Sequence, residues 1–100
     1  MNDNSDDLPT IKISTGDIKI EILDKYPKVI FSAQKYLPYL TVRVLDTGLK
    51  KKLYVSAMSL SGQLNKIYEE HNSLLNIKLS LRKENESQFA KYIVDIIDEN

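Results

Sequence analysis

The sequence predicts a mainly β fold: five antiparallel strands, with one helix between the third and the fourth. Three observations carry this expectation. Apolar residues alternate with charged ones over most of the chain, as in Ile18, Ile20 and Ile22 around Lys19 and Glu21, which is the period-two pattern of half-buried strands. Gly, Asp, Asn and Ser cluster between those runs, where a chain of antiparallel strands has to reverse. Only from Ser59 to Asn72 does the apolar spacing lengthen to that of a convincing helix.

The opening stretch, residues 1–9, has one large apolar residue beyond the initial Met, Leu8, among Asn and Asp. It buries too little surface to offset its ordering entropy and is expected to be an acidic disordered arm. The domain proper is expected over 10–98. Ile11 and Ile13, then Ile18, Ile20 and Ile22, read as a hairpin closed by Ser14-Thr15-Gly16-Asp17, with Gly16 supplying the positive φ of a tight turn. Counted the other way, the early runs form one long bent strand. Between Asp24 and Pro38 the pattern weakens, because Pro27 and Pro38 each remove a backbone donor and push the residue before them toward extended geometry. A short strand is expected at Val29 to Ser32. Tyr39 to Leu45 and Lys52 to Met58 are the clearest strand pair, joined by Asp46 to Lys51, a joint long enough for a mobile hairpin tip.

Alternation within that pair sends Val42, Val44, Leu53, Val55 and Ala57 to the core, and Thr41, Arg43, Lys52, Tyr54 and Ser56 to a polar, basic and aromatic face. Leu60, Leu64, Ile67, Tyr68 and His71 form the helical stripe. Ser59 or Ser61 is expected to cap its first amides, and Asn72 to end it in left-handed geometry. Ile77, Leu79 and Leu81 alternate with Lys78, Ser80 and Arg82 in the fourth strand; Phe89 to Ile97 return as the fifth after the turn Lys83-Glu84-Asn85-Glu86.

One hundred residues suffice for one hydrophobic core and not for two, and 42% hydrophobic with 28% charged residues is an ordinary globular composition. No apolar run approaches the roughly 20 residues of a spanning helix, and no basic start leads into an apolar stretch, so a cytoplasmic protein without membrane contact is expected. There is no cysteine, which removes disulfides, thiol chemistry and cysteine-ligated zinc together. The net charge of zero is unevenly spread: Asp3, Asp6 and Asp7 precede Thr10, and Asp95, Asp98 and Glu99 follow Val94. The body between them holds fourteen Lys and Arg against eight acids, a formal charge of +6. Such a body suits a polyanion, although Lys12, Lys25 and Lys66 are read as plain solvation.

Five antiparallel strands with a helix between the third and fourth are the layout of the OB-fold, a small Greek-key barrel that leaves one face for ligands. An α+β sandwich of the same elements is the rival arrangement. The runs GDIKIEILDKYPKVIF, YLTVRVLDTGLKKKLYVSAMSLSGQLNKI and LNIKLSLRKENESQFAKYIVDII resemble the single-stranded-DNA-binding OB domains of phages and prokaryotes. The shared features are an opening hairpin, a charged strand pair, a short helix and a last strand with a Lys-Tyr pair, here Lys91 and Tyr92. The resemblance spans Gly16 to Ile97 and implies a non-catalytic protein that binds single-stranded nucleic acid, DNA rather than RNA, with no cofactor. Some relatives carry a cysteine zinc ribbon near the first strands; a chain without cysteine has no structural zinc of that type.

A sequence-tolerant binder of single strands needs rings on which bases stack and cations for the phosphates, set along a groove. The expected nucleic-acid-binding residues are Arg43, Lys50, Lys51, Lys52, Tyr54, Lys78 and Arg82: Arg43, Lys52 and Tyr54 on the outward face of the strand pair, Lys50 and Lys51 at the hairpin tip, Lys78 and Arg82 as an extension. Tyr36, Tyr39 and Phe31 are second choices for stacking; Tyr68 and Tyr92 are read as core. No Gly-rich phosphate loop or nucleophile elbow is present. The single His71, favourable at a helix C-terminus, has no second His to share a metal, and Glu69, Glu70 and His71 point in different directions from the helix. Neither catalysis nor a metal is expected. The alternative function is an OB-fold protein-interaction subunit of a replication or transcription complex, which an apolar patch on the outward face, with Leu45 and Ile93 as members, would mark. The acidic ends would compete with nucleic acid or recruit a basic partner.

Overall fold

The sheet is assembled on its longest strand. The computed structural model describes residues 8–32, 34–87 and 89–98. Among them are six strands, β1 (Ile18–Ile22), β2 (Lys28–Ser32), β3 (Lys35–Val44), β4 (Lys50–Tyr54), β5 (Lys78–Lys83) and β6 (Tyr92–Asp98), and one helix, α1 (Met58–His71), between β4 and β5. The fold is mainly β, and every ladder is antiparallel. One edge of β3 takes β4, with Tyr39 opposite Tyr54 and Arg43 opposite Lys50. The other edge takes β2 against Lys35 to Tyr39 and then β1 against Val42 to Val44.

β1 and β2 therefore follow one another along the same edge of β3 and together fill one strand position. Where they part, the Leu23 N–H donates to the Thr41 carbonyl (2.9 Å) and the Asp24 carboxylate accepts the Thr41 N–H (2.7 Å), so β3 keeps its backbone partners across the break. β5 pairs the far edge of β1, and β6 lies beyond it. No ladder joins β4 to β6 among the described residues, so strand pairing does not close the sheet into a barrel.

The expected hairpin of Ile11 and Ile13 with Ile18 to Ile22 is not formed. Both edges of β1 are taken, by β3 and β5, which leaves the earlier run no place beside it. That run is tethered elsewhere. The Ile11 N–H donates to the Lys52 carbonyl and the Lys52 N–H to the Pro9 carbonyl, both at 2.8 Å, and the Lys83 N–H donates to the Ser14 carbonyl (2.7 Å). It thus reaches from the outer edge of β4 to the end of β5, with Ile11 buried and Ile13 packed on the core. Pro9, expected in the arm, already belongs to the folded body; the arm's residues 1–7 lie outside the described residues.

The inner face of the sheet carries Ile20, Ile22, Leu40, Val42, Leu53, Leu79 and Leu81, all buried, and Leu60, Leu64 and Ile67 of α1 close over it. α1 ends as expected: Asn72 takes φ 60° and its N–H donates to the Tyr68 carbonyl, the left-handed stop that Asn tolerates. Its start differs. Ala57 is the N-cap, with no side-chain bond, because Ser59 is used elsewhere: its Oγ accepts the Tyr92 N–H (3.1 Å), while Gln63 Nε2 donates to the Tyr92 carbonyl (2.8 Å). Ser61 Oγ points back to the Met58 carbonyl (3.5 Å). These bonds fasten the start of β6 to α1, and β6 begins there and not at Phe89, which is exposed. α1 is neither long nor apolar enough to cross a membrane.

Candidate nucleic-acid interface

A sheet with its core on one face presents the alternate residues on the other, and cross-strand register decides which of them become neighbours. Three rows result on the outer face. The first runs Lys50, Arg43, Glu21, Lys78 across β4, β3, β1 and β5. The second pairs Lys52 with Thr41. The third runs Tyr54, Tyr39, Lys28 across β4, β3 and β2.

The second and third rows are packed as alternating cations and rings. The Lys52 ammonium lies 5.6 Å from the Tyr39 ring centre and 5.8 Å from that of Tyr54, and the Lys28 ammonium lies 5.4 Å from Tyr39. The two rings meet edge to face with centres 6.2 Å apart. Such contacts hold a cation by the ring quadrupole and hold the rings in fixed orientation. Tyr39 (4% exposed), Thr41 (8%) and Lys52 (5%) are buried. Thr41 Oγ1 is fully buried and has no hydrogen-bond partner among the described residues. In the first row Lys50 is exposed, and Arg43 pairs with Glu21 at 3.6 Å.

Of the expected residues, Arg43, Lys50, Lys52, Tyr54, Lys78 and Arg82 share this face. Lys51 does not. The turn after β3 is tighter than its sequence length suggests, closed by Gly48 N–H to the Val44 carbonyl (2.7 Å) and Val44 N–H to the Leu49 carbonyl (2.9 Å), with Gly48 at φ 75°. β4 consequently starts at Lys50, so Lys50 and Lys51 are strand residues and not a mobile tip. Alternation then sets Lys51 opposite Val42, on the inner face and half-buried. Arg82 has the same parity as Lys78 and so lies on this face, but four residues or about 13 Å further along β5, and its guanidinium pairs with Asp17 at 3.6 Å. Leu45 and Ile93 form no joint patch, because β1 and β5 separate them: Leu45 lies beside Lys19 and Ile93 beside Arg82.

Tyr39 and Lys28 complete the stack. Tyr39 was expected only as a second choice on an uncertain loop, and it is its place in β3, in phase with Thr41 and Arg43, that puts it on this face; Lys28 carried no signal, because its place depends on β2 pairing with β3. Tyr36, out of phase with Tyr39, is exposed on the opposite face. The Phe31 side chain lies outside the described residues. Tyr68 packs partly on the core and, edge to face with Tyr26 at 6.0 Å, lines a separate apolar groove of about 690 Å³ with Pro27, Pro38, Val55 and Leu64. Among the described residues no three His, Asp or Glu side chains converge as metal ligands.

Comparisons with models of protein families, with curated proteins and with solved structures give no match to this chain. The interface is read from its geometry.

Proposed function

We propose that this protein binds single-stranded nucleic acid, DNA in preference to RNA, on the outer face of β3 and β4. The observation that carries the reading is the stack of Lys28, Tyr39, Lys52 and Tyr54 beside the row of Lys50 and Arg43. Half-buried Tyr54 is the ring at which a base can stack, and the adjoining cations are placed for the phosphates on either side of it. An OB-type barrel is supported by the count of strand positions: with β1 and β2 as one bent strand there are five, and the helix follows the third. β3 and β4 are then the second and third strands, whose outer face takes oligonucleotides in that fold. The segment before β1 adds to the reading by holding the outer edge of β4 at Lys52 and the end of β5 at Lys83.

The test is fluorescence anisotropy of a labelled oligonucleotide of about 20 bases, single- and double-stranded, over a range of salt. Binding of the single strand that weakens steeply with salt is expected, and Tyr54→Ala should weaken it by roughly 5- to 150-fold, the equivalent of one stacked base at about 1–3 kcal/mol. Absence of binding at low salt overturns the reading and turns attention to the Tyr26–Tyr68 groove as a protein-binding surface.

A further inference from the structure

On the side of β2 and β3 away from the stack, the residues that alternate with Lys28 and Tyr39 are apolar. Val29 lies across from Pro38, and Tyr36 is in phase with Pro38 along β3. Pro38 also lines the groove of about 690 Å³ that holds Tyr26 and Tyr68. The backbone fixes the shape of that groove. The Val55 N–H donates to the Pro38 carbonyl (3.0 Å), and the Leu74 N–H donates to the Lys25 carbonyl (2.7 Å), which ties the stretch after α1 to the stretch before β2. Tyr68 of α1 meets Tyr26 edge to face, with the ring planes 85° apart. A groove formed in advance in this way leaves little ordering to be done when a ligand enters.

The walls select the occupant. Tyr26, Val29 and Tyr36 keep 58%, 59% and 74% of their surface exposed, so the apolar surface runs on from the groove through Pro38 along the β2–β3 pair. Among the described residues that line the groove there is no Lys, Arg, Asp or Glu, so its charge complements neither a phosphate chain nor a charged peptide. An added strand needs open main-chain rungs; Pro38 has no N–H, and its carbonyl is already taken by Val55. What the groove offers is ring faces set at an angle, with the hydroxyls of Tyr26, Tyr68 and Ser61 as donors. A polyproline II segment matches that offer. Its proline rings are compact apolar wedges, it has few N–H groups to desolvate, and its carbonyls are free of internal bonds and accept from hydroxyls. At Gly62 a Cβ would meet nothing within 4 Å, which leaves room for such a chain beside α1. We propose that the Tyr26–Tyr68 groove binds an uncharged, proline-rich segment of a partner protein in the polyproline II conformation. This is a second site, on the opposite side of β3 from the nucleic-acid face, and it does not rest on the reading of that face.

The probe is a fluorescein-labelled peptide of about ten prolines, with a glycine-serine peptide of the same length and an alanine-rich helical peptide as controls. Each is titrated to about 1 mM against the full chain and followed by anisotropy and amide NMR. The proline peptide is expected to saturate and to shift the amides of Tyr36, Gly62, Asn65 and Tyr68, which neither control does. Tyr26→Ala and Gly62→Gln should each weaken it roughly 10- to 30-fold, the second by filling the space beside α1 with no loss of Tm. Saturating single-stranded oligonucleotide should leave the proline peptide's affinity unchanged. No saturation, or equal binding by the glycine-serine peptide, overturns the proposal; so does wild-type affinity in both variants, which places the peptide outside the groove. The helical peptide shifting the same amides in its place overturns the polyproline assignment, and displacement by oligonucleotide overturns the separateness of the two sites. Binding of the proline peptide by a protein that takes up no oligonucleotide upholds the groove and removes the nucleic-acid reading.

Discussion

At the residue scale, Thr41 and Glu21 define what is unusual about the outer face. A buried hydroxyl without an acceptor costs about 1–3 kcal/mol, and among the described residues Thr41 Oγ1 is such a group. Thr41→Val should therefore raise the urea midpoint, with a gain on the order of 1 kcal/mol, by replacing the hydroxyl with a methyl of similar shape. A less stable Thr41→Val protein would show the hydroxyl to be engaged. Glu21 sits between Arg43 and Lys78 in the first row and pairs with an Arg43 side chain that is 41% exposed, a contact worth at most about 1 kcal/mol. Glu21→Gln should leave the thermal midpoint almost unchanged yet tighten single-strand binding severalfold in the anisotropy titration, since the carboxylate repels phosphate and competes for Arg43. Weaker binding by Glu21→Gln would mean that Glu21 serves to hold Arg43 in place.

At the element scale, α1 offers two opposite tests. Gly62 lies mid-helix and exposed, and a Cβ there meets nothing within 4 Å. Gly62→Ala should stabilise by up to about 1 kcal/mol, or roughly 4–8 °C in Tm for a domain of this size, read by thermal unfolding. Asn72 holds the left-handed stop at φ 60°, and Asn72→Val should destabilise by about 1–2 kcal/mol because a β-branched side chain is strained there. Asn72→Gly should be close to neutral. The helix and its end were legible because both are local properties: a 3.6-residue stripe and a residue that accepts positive φ. Its start was not, since Ser59 is drawn into a bond with Tyr92, thirty-three residues away.

At the scale of the whole molecule, β1 is where the fold is most exposed to damage. Ile20 is fully buried between β3 and β5, so Ile20→Ala should lose about 2–5 kcal/mol. Against a total of about 5–15 kcal/mol, urea titration should find it near its unfolding threshold. By itself the sequence determined the strands that alternate, the face of each that is core, and the single helix, because burial of apolar side chains at period 2 or 3.6 is written residue by residue. It also placed Arg43, Lys52 and Tyr54 on one face, since parity along a strand survives any choice of partner. Which edges meet was decided by the tertiary structure alone. Period-two patterning is blind to the lateral edge, so nothing local told Ile11 to leave β1 for β4, set β2 behind β1 along β3, or turned Lys51 inward through a tighter turn. Placement of Lys52 between two tyrosines is of the same kind, because register across strands brings those rings to it.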